Sequence, residues 1–175
     1  KRISNAGAEI GLHGYSHTGK YGPYDSEIVQ LGFPELDTLS NIKYGGIFSQ
    51  KWSPSIFIPP FNAISWEQVL YLSRKYDIIC GGPESARFTN HLFGPIVLNN
   101  GSLYFPSFFP FYGSASDMLN SNFQNLVTNS KAPLCLTFHL HTEAQDGFFS
   151  FTKCITKYKN YINAWKSLQI IKDSH

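Results

Sequence analysis

Apolar and polar residues follow two different patterns along this chain. Short apolar runs bounded by Gly, Pro or Asn indicate buried strands, and apolar residues at helical spacing indicate amphipathic helices. Strands that alternate with helices are typical of an α/β fold with a mainly parallel sheet or barrel. The pattern predicts strands at 10–12, 55–58, 78–80, 96–98, 103–105, 134–138 and 168–171, and helices at 34–50, 65–76, 114–129 and 150–168.

Local signals mark several ends of these elements. Ser65 and Gln68 have the spacing of a capping box, so a helix should begin there. Pro59 and Pro60 should stop the preceding strand, because proline has no N–H for the ladder. The sequence Asn99-Asn-Gly-Ser102 is a strong turn signal and predicts a hairpin.

Composition narrows the class of protein. The 175 residues are 42% hydrophobic and 15% charged, which is typical of a globular chain, and we treat 1–175 as a single domain. The net charge is only +2 and basic residues form no run, so a nucleic acid partner has little support. No apolar stretch approaches the ~20 residues needed to cross a bilayer. Residues 1–7 resemble a helix end, so we expect a piece of a longer protein.

Two histidines follow the first predicted strand directly. His13 and His17 are about one helical turn apart, so their imidazoles can point the same way. Gly14 between them allows a sharp turn. Neutral imidazoles converging at a strand end are common ligands of a divalent metal ion, although a chain with six histidines can also place two at this spacing by accident.

A second pair, His139 and His141, ends the strand predicted at 134–138. Residues two apart in a strand lie on one face, so both should project at the carboxyl edge of the sheet. We interpret the two pairs as parts of one polar site. The alternative is that one or both hydrogen bond inside the fold. Glu143 and Asp146, which follow closely, are either polar loop residues, the interpretation we favour, or outer partners of the histidines.

Two further segments are candidates for substrate contacts. After Pro59 and Pro60, the backbone N–H of Phe61 or Asn62 could serve as an oxyanion donor, or the segment is simply a strand end. The stretch 104–112 contains six aromatic residues in nine, which suits either a platform for sugar rings or a lid over the core.

These segments together resemble the polysaccharide deacetylases of carbohydrate esterase family 4. His13-Gly-Tyr-Ser-His17 is similar to that family's second motif, His-[Ser/Thr]-x-x-His, with Gly14 in place of Ser or Thr. Ile58-Pro-Pro-Phe-Asn62 is similar to the third motif, an Arg-Pro-Pro-Tyr-Gly-like sequence. The apolar strand that ends at His139 or His141 resembles the fifth. The motifs occur in the family's order over nearly the whole chain.

The resemblance implies a distorted (β/α) barrel, lacking its first strand in this chain, and a metal-dependent removal of N- or O-linked acetyl groups from a glycan. His13 and His17 would bind the divalent metal, with zinc as the expected ion. His139 or His141 would be the general acid, a choice that stays open. The Phe61 N–H would bind the oxyanion. An Asp of an earlier Asp-Asp motif would complete the ligands, and its neighbour would be the base.

The same resemblance bears on the substrate and its location. We expect Pro60, Asn62 and Tyr112 to contact the acetylated oligosaccharide. The family's usual substrates imply an extracytoplasmic location, in the periplasm, at the cell surface or secreted.

Two departures from the family pattern favour an alternative. No Asp-Asp pair occurs anywhere in the chain, so that motif should lie upstream of Lys1 or be lost, and Ile58 stands where the family has Arg. A catalytically inactive domain that binds a glycan or serves as a scaffold would show these losses. A metal-dependent hydrolase of another substrate is a further possibility, because a metal pair does not define the acyl group.

Overall fold

The computed structural model of this chain describes residues 11–14, 31–36, 54–81, 95–106, 114–129 and 136–160. Within these ranges the chain combines a sheet with helices. The strands are β1 (Ile56–Phe57), β2 (Ile78–Gly81), β3 (Ile96–Val97) and β4 (Leu103–Pro106). The α-helices are α1 (Trp66–Leu72), α2 (Ser121–Asn129), α3 (Leu140–Glu143) and α4 (Phe149–Tyr158). Short 3₁₀ helices span Pro60–Asn62, Asp117–Leu119 and Ala144–Asp146. Residues 33–36 are also helical.

The sheet has the order β1-β2-β4-β3. Strands β1, β2 and β4 are parallel, and β3 is antiparallel to β4 across the predicted hairpin. Leu12 adds a parallel bridge to Phe57. Its N–H donates to the Ile56 carbonyl and its carbonyl accepts from the Ile58 N–H, both at 2.8 Å. The Ser55 carbonyl accepts from Ile78 in β2 instead, so Leu12 lies along the opposite edge of β1.

Both faces of the sheet are covered by apolar side chains. Phe57, Ile79 and Tyr104 belong to a core that also contains Leu12, Leu36 and the α1 residues Val69 and Leu72. The alternate strand positions form a second cluster on the other face, with Ile78, Cys80, Leu103 and Phe105 buried in it. Because successive side chains of a strand point to opposite faces, a continuous apolar run such as 78–80 places apolar side chains in the cores on both faces of the sheet.

Helix α1 begins where the sequence predicts. The Ser65 hydroxyl accepts from the Gln68 N–H at 3.2 Å, and the Gln68 side chain accepts from the Ser65 N–H at 3.1 Å, which completes the capping box. The helix ends at Leu72, earlier than the predicted residue 76. Residues 73–75 form turns instead.

Residues 114–129 do not form the single predicted helix, and that prediction is wrong. A 3₁₀ turn ends at Leu119, and Asn120 is extended with ψ of 162°. The Asn120 side chain then accepts from the Phe123 N–H at 2.8 Å and so caps the start of α2. Asparagine breaks the helix here because its side-chain oxygen, rather than a backbone carbonyl, accepts from the Phe123 N–H.

The strand predicted at 134–138 is also wrong over its described part. Of residues 136–138, only Thr137 is in a β-bridge, and α3 begins at Leu140. Helix α4 matches the predicted helix from residue 150 through Tyr158. The predictions for residues 37–50, 134–135 and 161–171 lie outside the described residues.

The α3–α4 segment packs through a third apolar cluster. Ala115, Met118, Phe123, Cys154 and Tyr158 are its buried members. The Tyr158 hydroxyl donates to the Met118 carbonyl at 2.9 Å. Over the residues that the structure describes, no helix combines the length and the apolar character that a membrane crossing needs. The barrel implied by the resemblance stays a prediction.

Candidate functional site

The parallel bridge at Leu12 places His13 beside the end of β1. The chain at Leu12 runs parallel to β1, so the residues that follow both segments emerge at the same edge. The His13 Nδ1 lies 2.9 Å from the carbonyl oxygen of Ile58, which is 45 residues away in sequence. Gly14 has a φ of 71°, a left-handed angle that glycine adopts without strain.

This hydrogen bond selects the form of the His13 ring. A carbonyl oxygen can only accept, so Nδ1 carries the proton. In the neutral ring the lone pair then lies on Nε2. Histidines that bind metal ions usually donate their other ring N–H to a carbonyl or carboxylate in this way. His13 is exposed, so its ring is accessible to solvent.

The segment after β1 is a tight turn with unusual backbone angles. Pro59 is extended, Pro60 opens the 3₁₀ turn, and Phe61 and Asn62 follow with φ of 55° and 56°. The left-handed region costs an ordinary L-residue roughly 1–2 kcal/mol. Two consecutive residues of this kind are typical of functional turns, where the surrounding structure imposes the conformation.

The turn distinguishes between the two backbone N–H groups, of Phe61 and Asn62, that the sequence predicted as candidate oxyanion donors. The Asn62 N–H donates to the Pro59 carbonyl at 3.0 Å, and is therefore committed inside the turn. The Phe61 side chain is 37% exposed, whereas Pro60 and Asn62 are buried. The oxyanion role of the Phe61 N–H stays a prediction.

His139 and His141 do not project from one face of a strand, which corrects the prediction. His139 is the residue before α3 and has extended angles, whereas His141 lies inside that helix and is exposed. Their rings are nevertheless neighbours, with centroids 5.6 Å apart in an edge-to-face arrangement. Because the chain enters a helix here, the positions of both imidazoles depend on α3 rather than on a strand.

Glu143 and Asp146 have structural roles in the described region, and the prediction that they lie in a loop is wrong: Glu143 ends α3, and Asp146 ends the 3₁₀ helix that follows. The Glu143 carboxylate is buried and accepts from the Ala115 N–H at 3.0 Å. Asp146 accepts from the N–H groups of Phe149 and Ser150, each at 3.0 Å, and so holds the start of α4. Hydrogen bonds from Ser150 keep the pKa of Asp146 below its ordinary value of 3.8.

The aromatic stretch is only partly described. Tyr104 and Phe105 are buried within β4, so these two belong to the core rather than to a platform. Tyr112 and His17 lie outside the described residues. Within the described ranges, no three His, Cys, Asp or Glu side chains come together in a group that could hold a metal ion.

The carbonyl of Ile58 is the part of this site that sequence reasoning missed. The sequence shows that Ile58 precedes Pro59. It cannot show that the Ile58 carbonyl is the partner of His13, because every residue has a backbone carbonyl and no side-chain pattern distinguishes this one. Comparisons with protein-family models, with curated proteins and with solved structures find no match for this chain.

Proposed function

We propose that this chain is a metal-dependent hydrolase that removes N- or O-linked acetyl groups from a glycan, built on a barrel of the polysaccharide deacetylase type. The observation that carries the proposal is the hydrogen bond between His13 and the Ile58 carbonyl. It joins the two segments that most resemble the family's second and third motifs, and it does so at the edge of parallel strands where ligands gather.

His13 offers one nitrogen ligand of the kind that a divalent ion such as zinc binds. The Nε2 lone pair of His13 suits a ligand role, and His17 is the second ligand implied by the resemblance. A bound ion of this kind supplies a Lewis acid for the acyl carbonyl and lowers the pKa of a water ligand. The Ile58 carbonyl keeps the His13 ring in the required tautomer.

The resemblance assigns the base and the third metal ligand to an Asp-Asp motif that does not occur in these 175 residues. The other roles fall to residues of this chain. The N–H of Phe61 donates to the oxyanion, since the strained turn fixes the direction of the backbone there. His139 or His141, when protonated, gives a proton to the leaving amine or alkoxide. Pro60, Asn62 and Tyr112 contact the glycan. We place the protein outside the cytoplasm, with its acetylated polymer substrates.

A glycan-binding or scaffold domain without catalysis is the second candidate, and Ile58 favours it. The Ile58 side chain packs against the apolar cluster that contains Ile78 and Cys80. The resemblance assigns an arginine that orients the catalytic base to this position, and an apolar side chain that faces the core cannot replace it.

The decisive experiment compares His13→Ala with His91→Ala in the full-length protein. Bound metal and acetate release from acetylated chito- and xylo-oligosaccharides are measured for both. We expect His13→Ala to lower metal affinity and acetate release by about 100-fold or more, because loss of a ligand exceeds the effect of an outer hydrogen bond. His91, to which no role is assigned, serves as the matched control and should leave both unchanged.

Acetate release that survives His13→Ala would refute the metal assignment. A wild-type protein that binds the oligosaccharides and releases no acetate would establish the binding domain in place of the hydrolase.

A further inference from the structure

Asn62 carries a buried carboxamide that nothing in the described part of the chain satisfies. The residue is 8% exposed, and no hydrogen bond joins its side chain to another described residue. Asn100 is the contrasting case, since it is exposed and yet donates to Ser73 and accepts from Ser102. Buried polar groups are nearly always paired, so an exception needs an explanation, such as a ligand or a water.

The backbone at Asn62 adds to this cost. Its φ of 56° is unfavourable for most residues, although asparagine tolerates it better than others do. Glycine would adopt the same backbone without strain and without an unpaired amide. Stability alone therefore favours glycine at this position, and the presence of asparagine points to a role for the side chain.

Asn62 is tied to the proposed metal ligand through two successive carbonyl groups. The Ile58 carbonyl accepts from His13, and the next one, of Pro59, accepts from the Asn62 N–H. The carboxamide thus belongs to the same turn that fixes the His13 ring.

We propose that the Oδ1 of Asn62 accepts the N–H of a substrate acetamido group, so that the site prefers N-acetylated sugars to O-acetylated ones. This inference rests on the proposed function and narrows its substrate class. An acetamido group offers an N–H donor that an acetyl ester lacks. A site built to hydrogen bond such a donor discriminates against the analogue without it, because the buried acceptor is then left unpaired.

The test measures the affinity of wild type, Asn62→Gly and Asn62→Asp for an N-acetylated chito-oligosaccharide and an O-acetylated xylo-oligosaccharide by calorimetry. Wild type should prefer the N-acetylated ligand. Asn62→Gly should weaken that ligand about tenfold and the O-acetylated one by about twofold or less. Asn62→Asp keeps an acceptor oxygen and tolerates the left-handed backbone, so it should retain the preference.

Unfolding midpoints of the same variants separate recognition from structure. Asn62→Gly should stay within about 1 kcal/mol of wild type, because relief of the left-handed strain and of the buried amide offsets the greater unfolded-state entropy of glycine. A marked fall in its midpoint, with equal loss of both ligands, would show a structural role and overturn the inference.

The remaining outcomes separate this inference from the proposed function. Wild type that releases acetate while Asn62→Gly keeps the preference would overturn the inference alone. Wild type that neither binds nor deacetylates either oligosaccharide would overturn both.

Discussion

At the scale of single residues, the polar side chains of the β3–β4 hairpin show how local pairing stabilises this fold. The Asn100 amide donates to the Ser73 carbonyl at 2.8 Å, and its oxygen accepts from the Ser102 N–H at 3.1 Å. The Ser102 hydroxyl donates to the same Ser73 carbonyl at 2.8 Å. These bonds connect the turn that the sequence predicted to the end of α1, a connection that no local pattern indicates.

Replacement of Asn100 by Ala should therefore lower the free energy of unfolding by about 1 kcal/mol, because several hydrogen bonds are lost together. Urea denaturation followed by circular dichroism measures this change. Asn99→Ala is the matched control: Asn99 is the exposed neighbour in the same turn, and its replacement should stay within about 0.5 kcal/mol of wild type. Equal effects for both variants would contradict the role given to Asn100.

At the scale of elements, sequence signals succeed where the deciding contacts are local. The capping box at Ser65 predicted the start of α1 correctly, because both of its hydrogen bonds join residues three apart. The break at Asn120 was missed because asparagine can either join a helix or cap the next one. The helix α3 was missed because the apolar run before it also suits a strand.

The packing of α4 makes a prediction about alkaline pH. Burial, and then the charge of Glu143, raises the pKa of the Cys154 thiol above its ordinary value of 9.0. Burial, and then Cys154, raises the pKa of Tyr158 above 10.0. Both groups are neutral acids whose pKa is raised in the folded state. Their contribution to stability is therefore complete below about pH 9 and is lost as the pH rises through the folded pKa values.

The free energy of unfolding should accordingly fall between about pH 8 and about pH 11. Urea titrations at several pH values measure the fall in wild type and in the double variant Cys154→Ala, Tyr158→Phe. The variant lacks both acids, so its stability should depend less steeply on pH over this range. Identical slopes would show that these two groups do not titrate in the way described.

At the scale of the whole molecule, the parallel pairing of β2 with β4 depends on a close approach at Gly81. This residue pairs with Pro106 in the register, and a Cβ atom there would lie 2.5 Å from Cε2 of Tyr104. Tyr104 is fully buried and contacts Trp66 edge to face, with ring centroids 5.6 Å apart. The ring has little room to move, so glycine is needed for steric reasons.

Gly81→Ala should destabilise the protein by about 1–3 kcal/mol through overpacking. The mechanism is tested by a double-mutant cycle with Tyr104→Leu, in which the smaller side chain should relieve part of the cost of Gly81→Ala. A coupling energy of about 0.5–3 kcal/mol is expected for residues in contact. Gly101→Ala is the control for coupling. Its φ of 83° makes alanine strained there, but a Cβ meets no atom within 4 Å, so its cost should simply add to that of Tyr104→Leu.

Sequence alone determined the elements whose signals are contained within a few residues: the strand stopped by Pro59 and Pro60, the capped helix α1 and the hairpin turn at 99–102. It also singled out His13 as a candidate ligand. Tertiary structure decided which backbone group faces that histidine, because the Ile58 carbonyl reaches it only through the pairing of Leu12 with β1. It also decided the left-handed turn at Phe61 and Asn62. Pairing across 45 residues depends on which strands become neighbours, and that choice is made by burial of apolar faces rather than by any local pattern.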